Sequence, residues 1–333
     1  MSEWEPELTR DDYRARVKQI LEYIAAGDTY QVNYTFPLHA MFEGDAYAWF
    51  RDLRGAQQAD YCAYLDTGRF KIVCVSPEQF FTLKDGVLRT RPMKGTRVRG
   101  RWLEEDERFA EDLVLSEKDR AENVMIVDLL RNDMGRISET GSIHVEQLFA
   151  VERYPTVWQM TSRIASRTRT KVPAILRALF PSGSVTGAPK VRTMQLLSGL
   201  EPYPRGVYCG AIGWIAPNGN AAFNVAIRCA TIDGRSGVAE YPVGSGITWD
   251  SNPDSEYAEC LSKAAVLTRG RAVFELLESI LFNGSFFLLE EHLDRLQRSA
   301  RYFGIRIADD VRNALGGAVA NAPSGPRKVR LAF

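Results

Sequence analysis

Residues Gly210 to Thr231 read GAIGWIAPNGNAAFNVAIRCAT. Small and apolar residues flank the turn signal Pro217-Asn218-Gly219, and this spacing is that of two strands joined by a tight hairpin. A hairpin pairs its strands antiparallel, whereas a parallel pair needs a crossover of about a dozen residues. Working outward, YQVNYTFPL (30–38), YCAYLDT (61–67), KIVCVSPEQFFTL (71–83) and VLRTRPM (87–93) read as further strands, rich in β-branched and aromatic residues. DDYRARVKQILEYIAAG (11–27) places Tyr13, Val17, Ile20 and Ile24 at helical spacing and stops at Gly27. Residues 103–135 and 172–200 also read as helical. Strands and helices therefore come in blocks, which predicts an α+β fold of two layers of antiparallel sheet flanked by helices.

The chain has 333 residues, 42 Lys plus Arg against 42 Asp plus Glu, and 45% hydrophobic residues, the balance of a globular protein of about two domains. Zero net charge gives no electrostatic reason for a nucleic-acid or membrane partner. The N-terminus MSEWEPELTR lacks the basic and apolar regions of a signal peptide, and no run of about 18 apolar residues occurs, so a cytoplasmic location is expected. The five cysteines show no C-x-x-C pair and read as buried free thiols, and none of the three histidines has a second ligand at zinc spacing. Character changes near Thr268-Arg269-Gly270. This divides the chain into a main domain, 1–268, and a tail, 271–333, with a hairpin-like FNGSFF, an amphipathic helix and a final strand RKVRLAF.

Several features could carry chemistry. Asp119 with Glu122, and Glu256 with Glu259, are acids three apart on helical segments, with Lys263 one turn beyond. Such pairs form either a solvated helix face or, if two faces meet, a hard oxygen site suited to Mg²⁺. PSGSVTGAPK (181–190) and VGSGITWD (243–250) are glycine-rich; each is either a plain turn or a cradle of N–H groups for an anion. Neither is a P-loop or a dinucleotide fingerprint. Lys94 stands at a strand end before Gly95-Thr96, 16 positions after Glu78, as either an exposed charge or a desolvated nucleophile.

In order, GDTYQVNYT, SPEQFF, RPMKGTRVRG, AENVMIVDLLRNDMGRI, YPTVWQMTS, FPSGSVTGAPKVRTM, RGVYCGAIGW, FNVAIRCATI and VGSGITWDSNPDSEYAECLSKA resemble the chorismate-utilising enzymes over roughly residues 10–268. The resemblance implies a site in the cleft between the two halves, with Glu122 and Glu259 as Mg²⁺ ligands and Asp119 and Glu256 behind them. It implies that Tyr208, Arg228 and the N–H groups of Gly244, Ser245 and Gly246 hold the enolpyruvyl carboxylate, with Thr96, Thr186 and Lys263 lining the same cleft. Glu78 matches the acid that protonates the departing C4 hydroxyl, which requires a carboxyl kept protonated near neutrality. Gln31 stands where the water-adding members carry lysine, which disfavours isochorismate or salicylate synthesis. Lys94 stands where anthranilate synthases generally carry alanine.

The motif P-x-K-G-T therefore resembles the aminodeoxychorismate synthase component I family, in which the lysine attacks C2 as the C4 hydroxyl leaves and ammonia then enters at C4. The ammonia is expected from a glutaminase (glutamine amidotransferase) partner, since no Cys-His pair for glutamine hydrolysis is evident. Anthranilate synthase component I and a non-catalytic chorismate-binding remnant are the alternatives. Lys94, having to attack as a neutral amine, is expected to lack a firm carboxylate partner. Gln159 is a further departure, standing where anthranilate synthases tend to carry histidine. The tail resembles the first part of an aminodeoxychorismate lyase of the fold-type IV pyridoxal-phosphate class, a short α/β fragment. Its only lysine is Lys328, so no pyridoxal phosphate is expected in this chain.

Overall fold

The computed structural model describes residues 1–268, 274–320 and 325–333. The change of character read at Thr268-Arg269-Gly270 thus falls partly outside the described residues. The chain opens with β1 (Glu5–Pro6), α1 (Arg10–Ala25), β2 (Gln31–Met41), α2 (Ala46–Gln57), β3 (Tyr61–Asp66), β4 (Phe70–Ser76), β5 (Gln79–Lys84), β6 (Val87–Arg91) and β7 (Met93–Val98). There follow α3 (Leu103–Leu115), α4 (Glu117–Gly135), β8 (His144–Arg153), β9 (Val157–Arg167), α5 (Val172–Leu179), β10 (Gly187–Ala188) and α6 (Lys190–Leu200). Next come β11 (Ala211–Ile215), β12 (Ala221–Val225), β13 (Cys229–Asp233), β14 (Val238–Ile247) and α7 (Pro253–Ala264). Last are β15 (Leu277–Phe282), α8 (Leu289–Phe303), α9 (Val311–Val319) and β16 (Arg327–Ala332).

The fold is α+β with antiparallel sheets, as the hairpin predicts. One compact unit comprises Met1–Thr96 with Leu113–Gly270 and holds two sheets, ordered β1-β2-β14-β13-β4-β3 and β11-β12-β5-β6-β9-β7. The first sheet has its own core, in which Tyr13, Val17 and Ile20 of α1 pack on Val32, Tyr34 and Phe36 of β2. The second is covered by α4 and α5, through Ile126, Leu130, Ile175 and Leu179. Each such side chain, fully buried, contributes about 1.5–3 kcal/mol. Helix starts follow their caps: Thr9 accepts from the Asp12 N–H, Ser116 from the Asp119 N–H, and Asn252 from those of Asp254 and Ser255. Gly27, at φ 79°, turns the chain out of α1.

Two expectations fail locally. The stretch 172–200 is not one helix, because Pro181 and Pro189 cannot continue one, and α5 and α6 are separated by a 3₁₀ turn, Gly183–Val185, and β10. The glycines of 243–247 form no loop: they lie in β14, where Gly244 faces Thr35 and Gly246 faces Asn33 of β2.

The second compact unit is Arg97–Asp112 with Arg271–Phe333. Here β15 pairs antiparallel with β16, and α8 packs on them through Leu293 and Leu296. FNGSFF closes only a single bridge, Phe282 to Phe286, before α8 begins. Arg99 forks onto Asp106 at 2.7 Å twice and donates to the Tyr302 carbonyl, while the Tyr302 hydroxyl donates to the Gly100 carbonyl. Residues 97–112 thus belong with the tail by contact, though they lie far from it in sequence.

Candidate active site

The chain crosses directly from strand to strand between the two sheets of the first unit at two places, besides its passages into and out of β10. It leaves β4 for β5 through Pro77-Glu78 and returns from β12 to β13 through Ala226-Ile227-Arg228. The crossings are bonded to each other. The Val225 N–H donates to the Glu78 carbonyl (3.1 Å), the Val75 N–H to the Arg228 carbonyl (3.0 Å), and the Ser76 hydroxyl to the Val225 carbonyl (2.7 Å). Arg228 adopts φ 52°, a left-handed conformation costing a non-glycine residue about 1–2 kcal/mol, which bends the strand there. The acid and the arginine read from the sequence are therefore neighbours in the fold.

Glu78 is only 4% exposed. Burial pushes its carboxyl up to about 7, against the opposing pull of a hydrogen bond from the Ser184 hydroxyl (2.7 Å), one from the Met93 N–H, and the charges of Lys94 and Arg91. A carboxyl half-protonated near neutrality can deliver a proton, as the sequence reading requires.

Lys94 lies in β7 rather than before a turn, and its neighbours come from both sheets. A methyl group placed on Gly246 would meet the Lys94 Nζ at 2.5 Å and the Gln31 Nε2 at 3.3 Å, so the ammonium, the amide and the bare backbone of β14 converge on one spot. Gln31 is wholly buried, yet neither its amide oxygen nor its nitrogen has a protein partner. Buried amides are nearly always satisfied, so this one is shaped for something the protein does not itself supply. The expectation that Lys94 lacks a carboxylate is overturned: its Nζ lies 3.2 Å from Glu122 Oε2, both side chains being mostly buried. Asn123 is the reason, since its amide donates to the Lys94 carbonyl (3.2 Å) and so brings α4, and Glu122 with it, against β7.

Glu259 joins the same cluster. Burial works to raise its carboxyl, but Lys263, Lys94 and Arg228 outweigh it and hold the group below the usual range. Lys263 pairs with Glu259 at 2.8 Å and donates to the Gly244 carbonyl at 2.7 Å, and Arg228 donates to the Lys263 carbonyl at 2.7 Å. Arg228 has no acid within pairing distance among the described residues, and its charge reaches Glu259 only from farther off. In an antiparallel strand a residue sends its N–H and C=O to one edge. Since the Gly244 carbonyl faces Lys263, the N–H groups of Gly244 and Gly246 face that open edge. The Ser245 N–H faces β2 and is lost to the expected cradle, and its hydroxyl contacts that of Tyr13 at 2.8 Å.

Asp119 lies beside Gly95, and Glu256 accepts from the Ser251 hydroxyl (2.7 Å). Among the described residues no group of three or more Asp, Glu, His or Cys gathers as a ready metal cage. Glu122 and Glu259 both lie within the field of Lys94, and carboxylates are the hard oxygen donors that Mg²⁺ takes, one or two at a time, with substrate and water completing its shell.

Tyr208 is buried, with its hydroxyl raised by that burial and within electrostatic reach of Tyr241. Thr186 spends its hydroxyl on the Ser182 carbonyl (2.8 Å), and Thr96 gives its own to Gln159 (3.0 Å), so neither hydroxyl is directed at Lys94. Gln159 also donates to the Gly95 carbonyl (2.8 Å). The sequence reading passed over Ser184 and Asn123. Two hydroxyls around Gly183 in PSGSVTG were the available sign of the first; nothing local marked the second.

Residues 1–269 match the family model described as chorismate binding enzyme. Aminodeoxychorismate synthase component 1 of Bacillus subtilis (strain 168) is 42% identical over 270 residues, covering 80% of this chain and 57% of that protein. Anthranilate synthase component 1 of Aquifex aeolicus (strain VF5) is 40% identical over 274 residues, covering 82% and 55%. The crystal structure of anthranilate synthase component I from Streptococcus pneumoniae TIGR4 superposes with a TM-score of 0.74 at 34% identity, over 80% of this chain and 60% of that one. The chain spans little more than half the length of these curated relatives.

Proposed function

The chain belongs to the chorismate-binding enzyme family, and from that premise we propose that it makes 4-amino-4-deoxychorismate from chorismate and ammonia, on the cytoplasmic route to 4-aminobenzoate and folate. The observation that carries the choice of reaction is the placement of Lys94 at the point where β14, Gln31 and Glu122 meet, with Glu78 in its field. Arg228 and the Gly244 and Gly246 N–H groups would take a substrate carboxylate. Glu122 and Glu259 would hold Mg²⁺, with Asp119 and Glu256 behind them, and the ion would supply a counter-charge for the ring carboxylate.

The pair between Lys94 and Glu122 must part before attack, because only the neutral amine is a nucleophile. The Lys94 nitrogen then bonds to C2, the ring double bonds shift, and the C4–O bond breaks as Glu78 hands its proton to the leaving oxygen, which departs as water. Ammonia bonds to C4, the double bonds shift back, and the Lys94 nitrogen leaves C2. Its source would be a glutaminase partner, in keeping with the component 1 names of the relatives. The likeness of the second unit to the start of an aminodeoxychorismate lyase belongs to this proposal too, and no pyridoxal-phosphate chemistry is assigned to it.

The test is product analysis after incubation with chorismate, ammonium and Mg²⁺. Aminodeoxychorismate is expected, falling by at least about 100-fold in Lys94→Ala, the scale of a lost covalent or acid-base group. Anthranilate as the main product would favour the second reading, which rests on relatives of that name at 40% identity. No product of either kind would leave a chorismate-binding protein without turnover.

A further inference from the structure

The turn Gly183–Val185 is pinned on every side. A methyl group on Gly183 would lie 1.9 Å from Leu129 Cδ2, so α4 presses directly on the turn's backbone. The Val185 carbonyl accepts from Asn33 Nδ2 (3.1 Å) and from Arg205 Nη1 (2.8 Å), and the Asn33 N–H donates to the Thr186 carbonyl (2.8 Å). Lys190, paired with Asp133 at 2.7 Å, donates to the carbonyls of Leu179 and Pro181 just upstream. None of these bonds uses the Ser184 hydroxyl. Serine in such a turn often bonds its own local backbone. Here the hydroxyl instead meets the Ser182 hydroxyl at 2.9 Å and donates to Glu78 Oε1 at 2.7 Å.

Building on the reading of Glu78 as the proton donor of chorismate amination, we propose that Ser184 is a positioning residue that aims this acid. The Ser184 hydroxyl at 2.7 Å fixes Oε1, and with it the plane of the carboxyl and the direction in which Oε2 points. The Met93 N–H reaches the same carboxyl from the residue before Lys94, so the acid is held between the rigid turn and the strand that carries the nucleophile. Ser184 also favours the ionised form and keeps the acid from becoming too weak, acting with Lys94 and Arg91 against burial, while the Cys209 thiol lies within electrostatic reach.

Ser184→Ala and Ser184→Thr test this by two readouts. The first is the titration of Glu78 in the folded protein, followed by carboxyl-carbon NMR and assigned by its loss in Glu78→Gln. The second is the split between kcat and KM with chorismate and ammonium. Ser184→Ala is expected to raise the Glu78 midpoint by about one pH unit and to lower kcat about tenfold or more, with KM within about twofold. Ser184→Thr, which keeps the hydroxyl, is expected to restore both. An unchanged Glu78 midpoint and kcat in Ser184→Ala, or a loss confined to KM, overturns the proposal. If the parent makes no aminodeoxychorismate yet Ser184→Ala still moves the Glu78 midpoint, the positioning contact stands and the assigned reaction fails.

Discussion

Glu78 carries opposite costs for folding and for chemistry. Its carboxyl titrates at about 7 in the folded protein, against a usual 4.5, so between these values the folded state binds more protons than the unfolded one. Stability therefore falls as pH rises through this window, and the penalty is complete above about pH 7, where it amounts to about 3 kcal/mol. Glu78→Gln cannot ionise and escapes that fall. Its thermal midpoint relative to the parent should rise between pH 5 and pH 8 while amination is lost, and parallel curves for the two proteins would remove burial as the cause. Glu78, Lys94, Glu122 and Arg228 were picked out by the order of motifs that carries the resemblance, each alone reading as an ordinary charge. The Lys94–Glu122 pair was not, because it depends on Asn123 bringing α4 to β7, a contact between segments with no local signature.

At the scale of elements, β14 explains why a strand should contain Gly-Ser-Gly. A methyl group on Gly244 would meet the Tyr34 carbonyl and Thr35 Cγ2, each at 2.7 Å, and the backbone of β2 cannot yield. On Gly246 it would meet the Lys94 Nζ, the free end of a flexible side chain, at 2.5 Å. Gly244→Ala should thus destabilise the fold by about 1–3 kcal/mol, the usual cost of overpacking. Gly246→Ala should leave the denaturation midpoint nearly unchanged yet depress amination by displacing Lys94. Equal losses of stability in the two would mean that Lys94 is not the group in contact. Periodicity could not reveal this strand, since glycine carries no apolar signal, and the same composition serves a loop. QVNYTFPL was clearer. Val32, Tyr34, Phe36 and Leu38 alternate toward the core, while Gln31, Asn33 and Thr35 on the other face are also buried, the mark of a face that meets more protein rather than water.

Over the whole molecule the antiparallel architecture was readable from one hairpin, but the grouping of Arg97–Asp112 with the tail was not. Arg97–Asp112 groups with the tail through charge and ring contacts, among them Arg99 on the Tyr302 carbonyl and over the Tyr302 ring, with the Arg301–Glu107 pair at 2.7 Å. Arg99→Ala should destabilise the second unit by about 3–5 kcal/mol, because it takes a bidentate guanidinium from the buried Asp106 carboxylate. Hydrogen exchange should then quicken in α8 while chorismate still protects Glu122 and its neighbours in the first unit; uniform quickening would show one cooperative structure. The excursion at Arg97 begins just after Lys94 and ends just before α4 brings Glu122. During synthesis on the ribosome, residues 97–112 emerge long before α8 does, so a nascent chain can assemble its first unit around a segment that still waits for its partner. Through that interval Glu104 and Glu107 stand without Arg298 and Arg301 of α8, the charges that receive them in the finished fold.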